Sequence, residues 1–312
     1  MARTTTLALC IPAYNAARFL PRLLHSANAQ TVPFDEILLY DDCSTDNTGQ
    51  VARSFGACVI TGSHNVGCSA GKNRLLEATR CDWIHFHDAD DDLKPEFSEV
   101  AREWMERHDV ADVVLFSYEN RKYENEATMV LRTFDDFALV HDAAGYAVRE
   151  QINPYCGLYR RTALLRVGGY DEDPAVLYNE DCRFHMRLAF AGLRFRAEQR
   201  CLVINLERSD SMSSANREKC ALARLAVLEK AAREAPQGLH CDIAQQAWLV
   251  ARHLAAYRLH SQMVDAIRLA RRLGLSVPPT ERTALRVAAR VSPVTAFKAR
   301  AAFVRWRDGR SR

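Results

Sequence analysis

Short apolar runs alternating with amphipathic stretches organise the first two-thirds of the chain. Leu7 to Ile11, Glu36 to Tyr40, Ala57 to Thr61, Trp83 to His87 and Ala111 to Phe116 have the length and bounded character of strands. Between them apolar residues recur at helical spacing. Phe19, Leu20, Leu23 and Leu24 share one face of a helix predicted over 16–29, and further helices are predicted up to Phe55, over 69–79 and over 96–107. Strands alternating with ten-residue helices predict an α/β fold: a wound, mostly parallel, Rossmann-like sheet with helices on both faces. From Glu119 to Tyr155 the pattern weakens, and hairpins or loops are expected there. Helices return over 161–167, ended by Gly168-Gly169, and over 179–191, stopped by Gly192, with a late strand over 201–206. Beyond Asn216 the chain reads as helical throughout, broken at Pro236-Gln237-Gly238, Gly274 and Pro278-Pro279. The periodicity therefore divides the chain into an α/β part, 1–214, and an all-helical part, 215–312.

Charge sharpens that division. The net charge is +3, but residues 1–214 carry 23 basic against 32 acidic side chains, a net of −9, and residues 215–312 carry 19 against 7, a net of +12. An acidic body with a basic helical end implies two environments. With 312 residues, 48% of them apolar, a full core is expected. No apolar run reaches the length of a membrane span, and the apolar stretch after Met1 is too short for a secretory signal. The ten cysteines form no C-x-x-C pair and no zinc-like spacing with histidine, so a reduced, cytoplasmic setting is expected.

The densest chemistry lies at Asp88-Ala89-Asp90-Asp91-Asp92, directly after an apolar run. Four carboxylates in five residues repel one another unless a cation or solvent compensates them. Mg²⁺ or Mn²⁺ suits the task, being a hard cation that takes carboxylate oxygen and often shares its shell with substrate phosphates. In an open α/β sheet, the end of a strand is also where ligands bind. The alternative is a solvated acidic turn that caps the next helix, with Pro95 in its first turn. His85 and His87 alternate on the same strand, as metal ligands or, by the plainer reading, as core or rim histidines.

Two further polar loops follow strands: Pro12-Ala13-Tyr14-Asn15 after the first, and Asp41-Asp42-Cys43-Ser44-Thr45-Asp46-Asn47-Thr48 after the second. Asn65-Val66-Gly67 and Lys72-Asn73 come next, then the Asp88 cluster, Gly168-Gly169-Tyr170-Asp171-Glu172, Asn179-Glu180-Asp181, and Arg208 with Ser211 and Ser213. This ordered set resembles the inverting GT-A glycosyltransferases of family 2, over about residues 5–214. Each motif alone is weak, and their order and spacing make the resemblance specific.

The resemblance implies a GT-A catalytic domain and a nucleotide-diphosphate sugar as donor, with UDP as the default. It implies Asp90 as principal metal ligand, with Asp88 contacting the ribose or supporting the metal. Asp41 and Asp42 would accept the N–H of a uracil-like base, walled by Pro12 and Tyr14; their alternative is to cap the following helix. Lys72, where the family often has arginine, would approach the diphosphate without bidentate geometry. Arg208 and the serines after it would close over the diphosphate, or form a plain surface loop. Asp181 would be the base that deprotonates the acceptor hydroxyl, and Glu180, about 100° away on the helix, would bind acceptor or orient a neighbour. His87 departs from the family, which usually has a large apolar residue there, as does Cys81, where glycine is common.

The acceptor is expected to be a saccharide, lipid-linked or polysaccharide, as in cell envelope polysaccharide biosynthesis. Residues 281–312 hold nine basic and two acidic side chains, with Phe297, Phe303, Val304 and Trp306 interspersed. Such helices can lie on an anionic membrane surface, pack on the acidic domain, or contact a subunit. Nucleic acid is not expected, since no recognition motif accompanies the charge. Two rival classes are a sugar nucleotidyltransferase, which needs a glycine-rich phosphate loop after the first strand, and a non-catalytic nucleotide-sugar-binding module.

Overall fold

The structure, a computed structural model, describes residues 5–107, 110–208, 210–279 and 283–310. Glu281, Arg282 and Arg312 of the basic tail lie outside the described residues.

Four strands are parallel neighbours: β1 (Leu7–Ala13), β2 (Glu36–Asp41), β3 (Cys58–Thr61) and β4 (Trp83–Phe86), in the order β3-β2-β1-β4. They are joined by α1 (Leu20–Asn28), α2 (Thr48–Ser54) and α3 (Cys68–Ala78). Leu7, Leu9 and Ile11 of β1 are fully buried, and so are Ala8 and Cys10, which alternate with them. A strand buried on both faces reads as a continuous apolar run, which is why this part is plain in the sequence. In register, Ala13 lies beside Asp41 and Cys10 beside Phe86, so the segments that follow β1, β2 and β4 leave the sheet from one edge.

The sheet continues with antiparallel pairings. β5 (Asp92–Leu93), β6 (Val113–Lys122), β7 (Thr128–Arg132), β8 (Gly157–Arg160) and β9 (Phe195–Glu207) extend it in the order β4-β8-β6-β9-β5, with β7 on β6. β4–β8, β8–β6, β6–β7 and β5–β9 are antiparallel, and β6–β9 is parallel. The remaining helices are α4 (Phe97–Glu106), α5 (Asp136–Arg149), α6 (Arg161–Val167), α7 (Glu180–Phe190), α8 (Met212–Ala215), α9 (Arg217–Glu234), α10 (His240–Ala256), α11 (His260–Arg272), α12 (Thr283–Val291) and α13 (Pro293–Arg310).

Contacts divide the chain into two compact units, and the division is not a single cut after residue 214. The sheet unit is 1–146, 152–172 and 187–211; the helical unit is 147–151, 173–186 and 212–312. The boundary falls inside α5 and inside α7, so the start of α7, with Glu180 and Asp181, belongs to the helical unit. Within that unit α10 packs on α9, α11 and α13. Small buried residues on α10, Ala244, Ala247 and Ala251, leave room for large ones, and Trp248 stacks on Phe297 of α13 at 5.8 Å.

Candidate functional site

The loops after β1 and β2 are stitched to each other, and the motif spacing supplies the stitches. Asn15 N donates to Ser44 Oγ at 2.9 Å, Ala16 N to Thr48 Oγ1 at 2.8 Å and Ala17 N to Asp46 Oδ2 at 3.1 Å. Asn15 Oδ1 accepts from Thr45 N at 2.8 Å. Asn15 adopts a left-handed backbone, φ 50°, which asparagine tolerates better than most residues. Burial pushes the Asp46 carboxyl up, but hydrogen bonds from Thr48 and Ala17 outweigh it and hold the carboxyl below its ordinary range.

The two acids that end β2 divide their work. Asp42 accepts from Val66 N at 2.7 Å and Gly67 N at 2.8 Å, and so fixes the Asn65-Val66-Gly67 loop ahead of α3. Asp41 accepts from Ser44 N at 3.0 Å through Oδ1. Both are buried, beside a half-buried Pro12 and an exposed Tyr14. Lys72 is enclosed, 1% exposed, with Nζ 5.0 Å from the Tyr170 ring. Asn73 beside it accepts from Tyr170 N at 2.7 Å and donates to Tyr170 O at 3.0 Å and Glu172 Oε1 at 2.7 Å. Gly169 has φ 63°, and a Cβ there would lie 2.3 Å from Asn73 Oδ1, so backbone shape and close approach both demand glycine.

The acidic cluster is partitioned. Asp91 is buried and accepts from Leu206 N of β9 at 2.8 Å. Asp92 pairs with Arg22 at 3.0 Å. Both serve the fold. Asp88 and Asp90 stay partly exposed, and the Asp88 carboxylate makes no hydrogen bond among the described residues. Asp90 meets the Arg208 guanidinium at 2.8 Å, close but without hydrogen-bond alignment. Burial raises the Asp90 carboxyl, Asp88 raises it further, and Arg208 opposes both. Burial followed by the charges of Asp90 and Asp88 raises Asp91 well above the carboxylate range.

Arg208 lies with its guanidinium carbon 3.9 Å from the Phe19 ring centre and pairs with Asp210 at 2.9 Å. Arg18, Phe19, Tyr123, Arg208 and Asp210 line a cavity of about 250 Å³ beside Asp90.

A divalent cation fits this donor set in one way. Among the described residues no three histidine, cysteine or carboxylate side chains converge as a complete shell. Two adjacent, partly exposed carboxylates suit a Mg²⁺ or Mn²⁺ that takes its other oxygens from a diphosphate and water. His85 and His87 are not part of it. Both are fully buried in the core. His85 Nδ1 lies 2.8 Å from Gly157 O and His85 Nε2 lies 3.0 Å from His87 Nδ1. A carbonyl can only accept, so His85 donates from Nδ1 and accepts at Nε2 from His87. Burial keeps both neutral, with the His85 pKa lowered to about 4.

In the helical unit, Glu180 and Asp181 open α7. Glu180 is 4% exposed, whereas Asp181 is partly accessible. Shortly before them Tyr178 has φ 76°, a strained conformation for a bulky residue and of the kind that gathers at functional sites. Asn15, Asp46 and Asn73 stand in the sequence motifs without an assigned role, and the structure shows them as scaffold, acting on partners up to 99 residues away. Polar residues with left-handed or glycine neighbours are the available signal.

Residues 8–168 match the family model described as Glycosyl transferase family 2. The teichuronic acid biosynthesis glycosyltransferase TuaG of Bacillus subtilis strain 168, a putative assignment by its own name, is 30% identical over 99 residues, 30% of this chain and 39% of that protein. The chain spans half or less of the curated relatives it matches first. Among solved structures, S. aureus TarS 1-349 in complex with UDP-GlcNAc has a TM-score of 0.72 at 18% identity, covering 97% of this chain and 92% of that one. The mannosyltransferase PcManGT from Pyrobaculum calidifontis, in complex with GDP-Man and Mn²⁺, has a TM-score of 0.61 at 16% identity, covering 97% and 85%. Likeness at this level of identity speaks to the fold, which is GT-A with an added helical region.

Proposed function

Because the chain belongs to glycosyl transferase family 2, we propose that it moves a sugar, with inversion, from a nucleotide-diphosphate sugar to a saccharide, lipid-linked or polysaccharide acceptor. UDP is the default nucleotide. The observation that carries this reading is the partition of the acidic cluster. Asp91 and Asp92 are committed to Leu206 and Arg22, while Asp88 and Asp90 stay partly exposed beyond the end of β4, Asp90 beside Arg208.

Asp90, with Asp88, would hold Mg²⁺ or Mn²⁺, which when bound neutralises charge developing on the leaving diphosphate. Asp41 and the wall of Pro12 and Tyr14 receive the base, and Asp42 holds the neighbouring Asn65-Val66-Gly67 loop through Val66 N and Gly67 N. Arg208, whose guanidinium lies 2.8 Å from Asp90, would supply positive charge to the diphosphate beside a cation held at Asp90. Asp181 accepts the proton of the acceptor hydroxyl, being the accessible member of a pair whose other acid is buried. A sugar nucleotidyltransferase would need a glycine-rich loop after β1, where this chain has Pro12-Ala13-Tyr14-Asn15. Likeness to structures solved with UDP-GlcNAc and with GDP-Man and Mn²⁺ supports the donor class and the cation.

The C-terminal helices carry a second element of the proposal. Phe303 and Trp306 on α13 and Val291 on α12 are exposed among basic residues, a combination suited to an anionic membrane surface. No helix among the described residues is long and apolar enough to cross a membrane, so the contact would be peripheral.

Calorimetry of UDP binding with and without Mn²⁺, on the wild type and Asp90→Ala, tests the donor site. Metal-enhanced affinity in the wild type alone is expected. Equal affinities in all four titrations would refute the metal role.

A further inference from the structure

The helical unit holds a cavity of about 490 Å³, a size that accommodates a sugar unit. Among the described residues its wall includes Arg149, Arg217 and Arg224 and no aspartate or glutamate. The three are not equivalent. Arg149 is paired with Asp242 at 2.8 Å, which balances its charge. Arg217 is exposed, at the first position of α9. Arg224 is held by neutral groups only among its named contacts: Nη2 donates to Val148 O at 2.9 Å and approaches Gln246 Oε1 at 3.4 Å. Its Nη1 is buried with no hydrogen-bond partner among the described residues. A buried guanidinium nitrogen left unpaired is costly, and an anionic acceptor brought by a ligand removes the cost.

A second orphan lines the same cavity. Asn179 Nδ2 donates to Tyr178 O at 2.9 Å and Cys220 O at 3.2 Å, leaving Oδ1 buried and without a partner among the described residues. The cavity thus presents a buried cationic donor and a buried neutral acceptor. An acidic group and a hydroxyl on one sugar satisfy both.

Negative charge sets where the anion sits. Glu180 bears on the Cys220 thiol in the cavity wall and, after burial, raises its pKa. The anion belongs on the side of the cavity lined by Arg217 and Arg224.

We propose that this cavity seats the acidic group, carboxylate or phosphate, of an acidic acceptor saccharide. Arg224 and Arg217 determine the specificity, and Asn179 takes a hydroxyl. This rests on the glycosyltransferase reading and names its acceptor class.

Ligand-observed NMR on the full-length protein tests it with glucuronate, glucose 6-phosphate and glucose, on the wild type, Arg224→Gln, Arg217→Gln and Arg217→Lys. Both acidic sugars are expected to bind at least tenfold tighter than glucose, and whichever binds tighter identifies the acidic group. Each glutamine variant should lose roughly tenfold for the acidic sugars and little for glucose, the consequence of one lost charge-assisted hydrogen bond. Arg217→Lys should keep part of the preference, and since Arg217 is exposed its variants are expected to fold. Equal binding of acidic and neutral sugars, or glutamine variants that bind as the wild type does, would overturn the proposal. UDP binding by the same samples is a separate readout: its absence in the wild type would refute the donor reading, whatever the sugars do.

Discussion

Asp88, Asp90, Asp91 and Asp92 look alike in sequence and do different things in the fold. The sequence marks the cluster; only the fold shows that Leu206 and Arg22, 115 and 70 residues distant, take two of the four. The same holds for Asp41 and Asp42, which no spacing distinguishes and which differ because Val66 and Gly67 occupy one of them. For Lys72, nothing local announces the distant Tyr170 ring against which it lies. Two predictions belong at this scale. Asp181→Asn should leave UDP binding within about twofold of the wild type while transfer falls by roughly 10²–10⁴-fold, the usual share of general-base catalysis. Unchanged transfer in a steady-state assay would move the base elsewhere. Gly169→Ala should destabilise by roughly 1–3 kcal/mol in urea denaturation, from its positive φ and the clash with Asn73. Gly238→Ala is the control, since a Cβ there meets nothing within 4 Å and should change stability little.

Among the elements, β1, β2 and β4 are legible because buried parallel strands are continuous apolar runs, and α1 because it is strongly one-sided, with Leu20, Leu23, Leu24 and Ala27 buried. Of the helices after Asn216, α11 and α12 are legible for the second reason, while α9, α10 and α13 are legible from their length and from the breaks at Pro236-Gln237-Gly238, Gly274 and Pro278-Pro279. The region between Glu119 and Tyr155 is not. It contains the β6–β7 hairpin, as expected, but also α5, whose backbone breaks at Asp142 with φ −150°. That break and the internal Gly145 blur the period, and the start of α5 is fixed by a distant residue: Asp136 pairs with Arg196 at 2.8 Å and accepts from Ala197 N at 2.7 Å. Glu119 on β6 offers a pH test of this half of the sheet. Hydrogen bonds from Lys94, against a smaller opposing effect of burial and with help from Arg121, lower its pKa from 4.5 to about 2. A carboxyl lowered in the folded state binds fewer protons there than in the unfolded chain, so its stabilisation is complete above about 4.5 and is lost as pH falls toward 2. The urea midpoint of the wild type should drop over that interval more than that of Glu119→Gln. Parallel decline of the two would place the acid sensitivity elsewhere.

For the whole molecule, the charge division anticipates two bodies but not their composition. A cut at residue 214 misses the segments 147–151 and 173–186, which join the helical unit although they are encoded amid the sheet. The family motifs consequently serve two units: Asp90 and Arg208 in one, Glu180 and Asp181 in the other. The tail is likewise mixed. Phe297 is buried against Trp248, so it belongs to the core, while Phe303 and Trp306 are exposed. The membrane proposal accordingly predicts that the Phe303→Ser, Trp306→Ser double variant loses salt-sensitive binding to anionic liposomes and keeps UDP binding. If the wild type ignores such liposomes at low salt, the tail is a packing or subunit element.

Asp90 is proposed to help activate a nucleotide-sugar donor for transfer, and nucleotide release from a panel of UDP- and GDP-sugars tests that role without knowledge of the acceptor. The wild type, given Mn²⁺ or Mg²⁺, is expected to hydrolyse at least one donor slowly, chelation to stop the release, and Asp90→Ala to abolish it at unchanged fold. Release that persists in Asp90→Ala or in the presence of chelator, or no release from any donor by a protein that also fails to bind UDP, would contradict it.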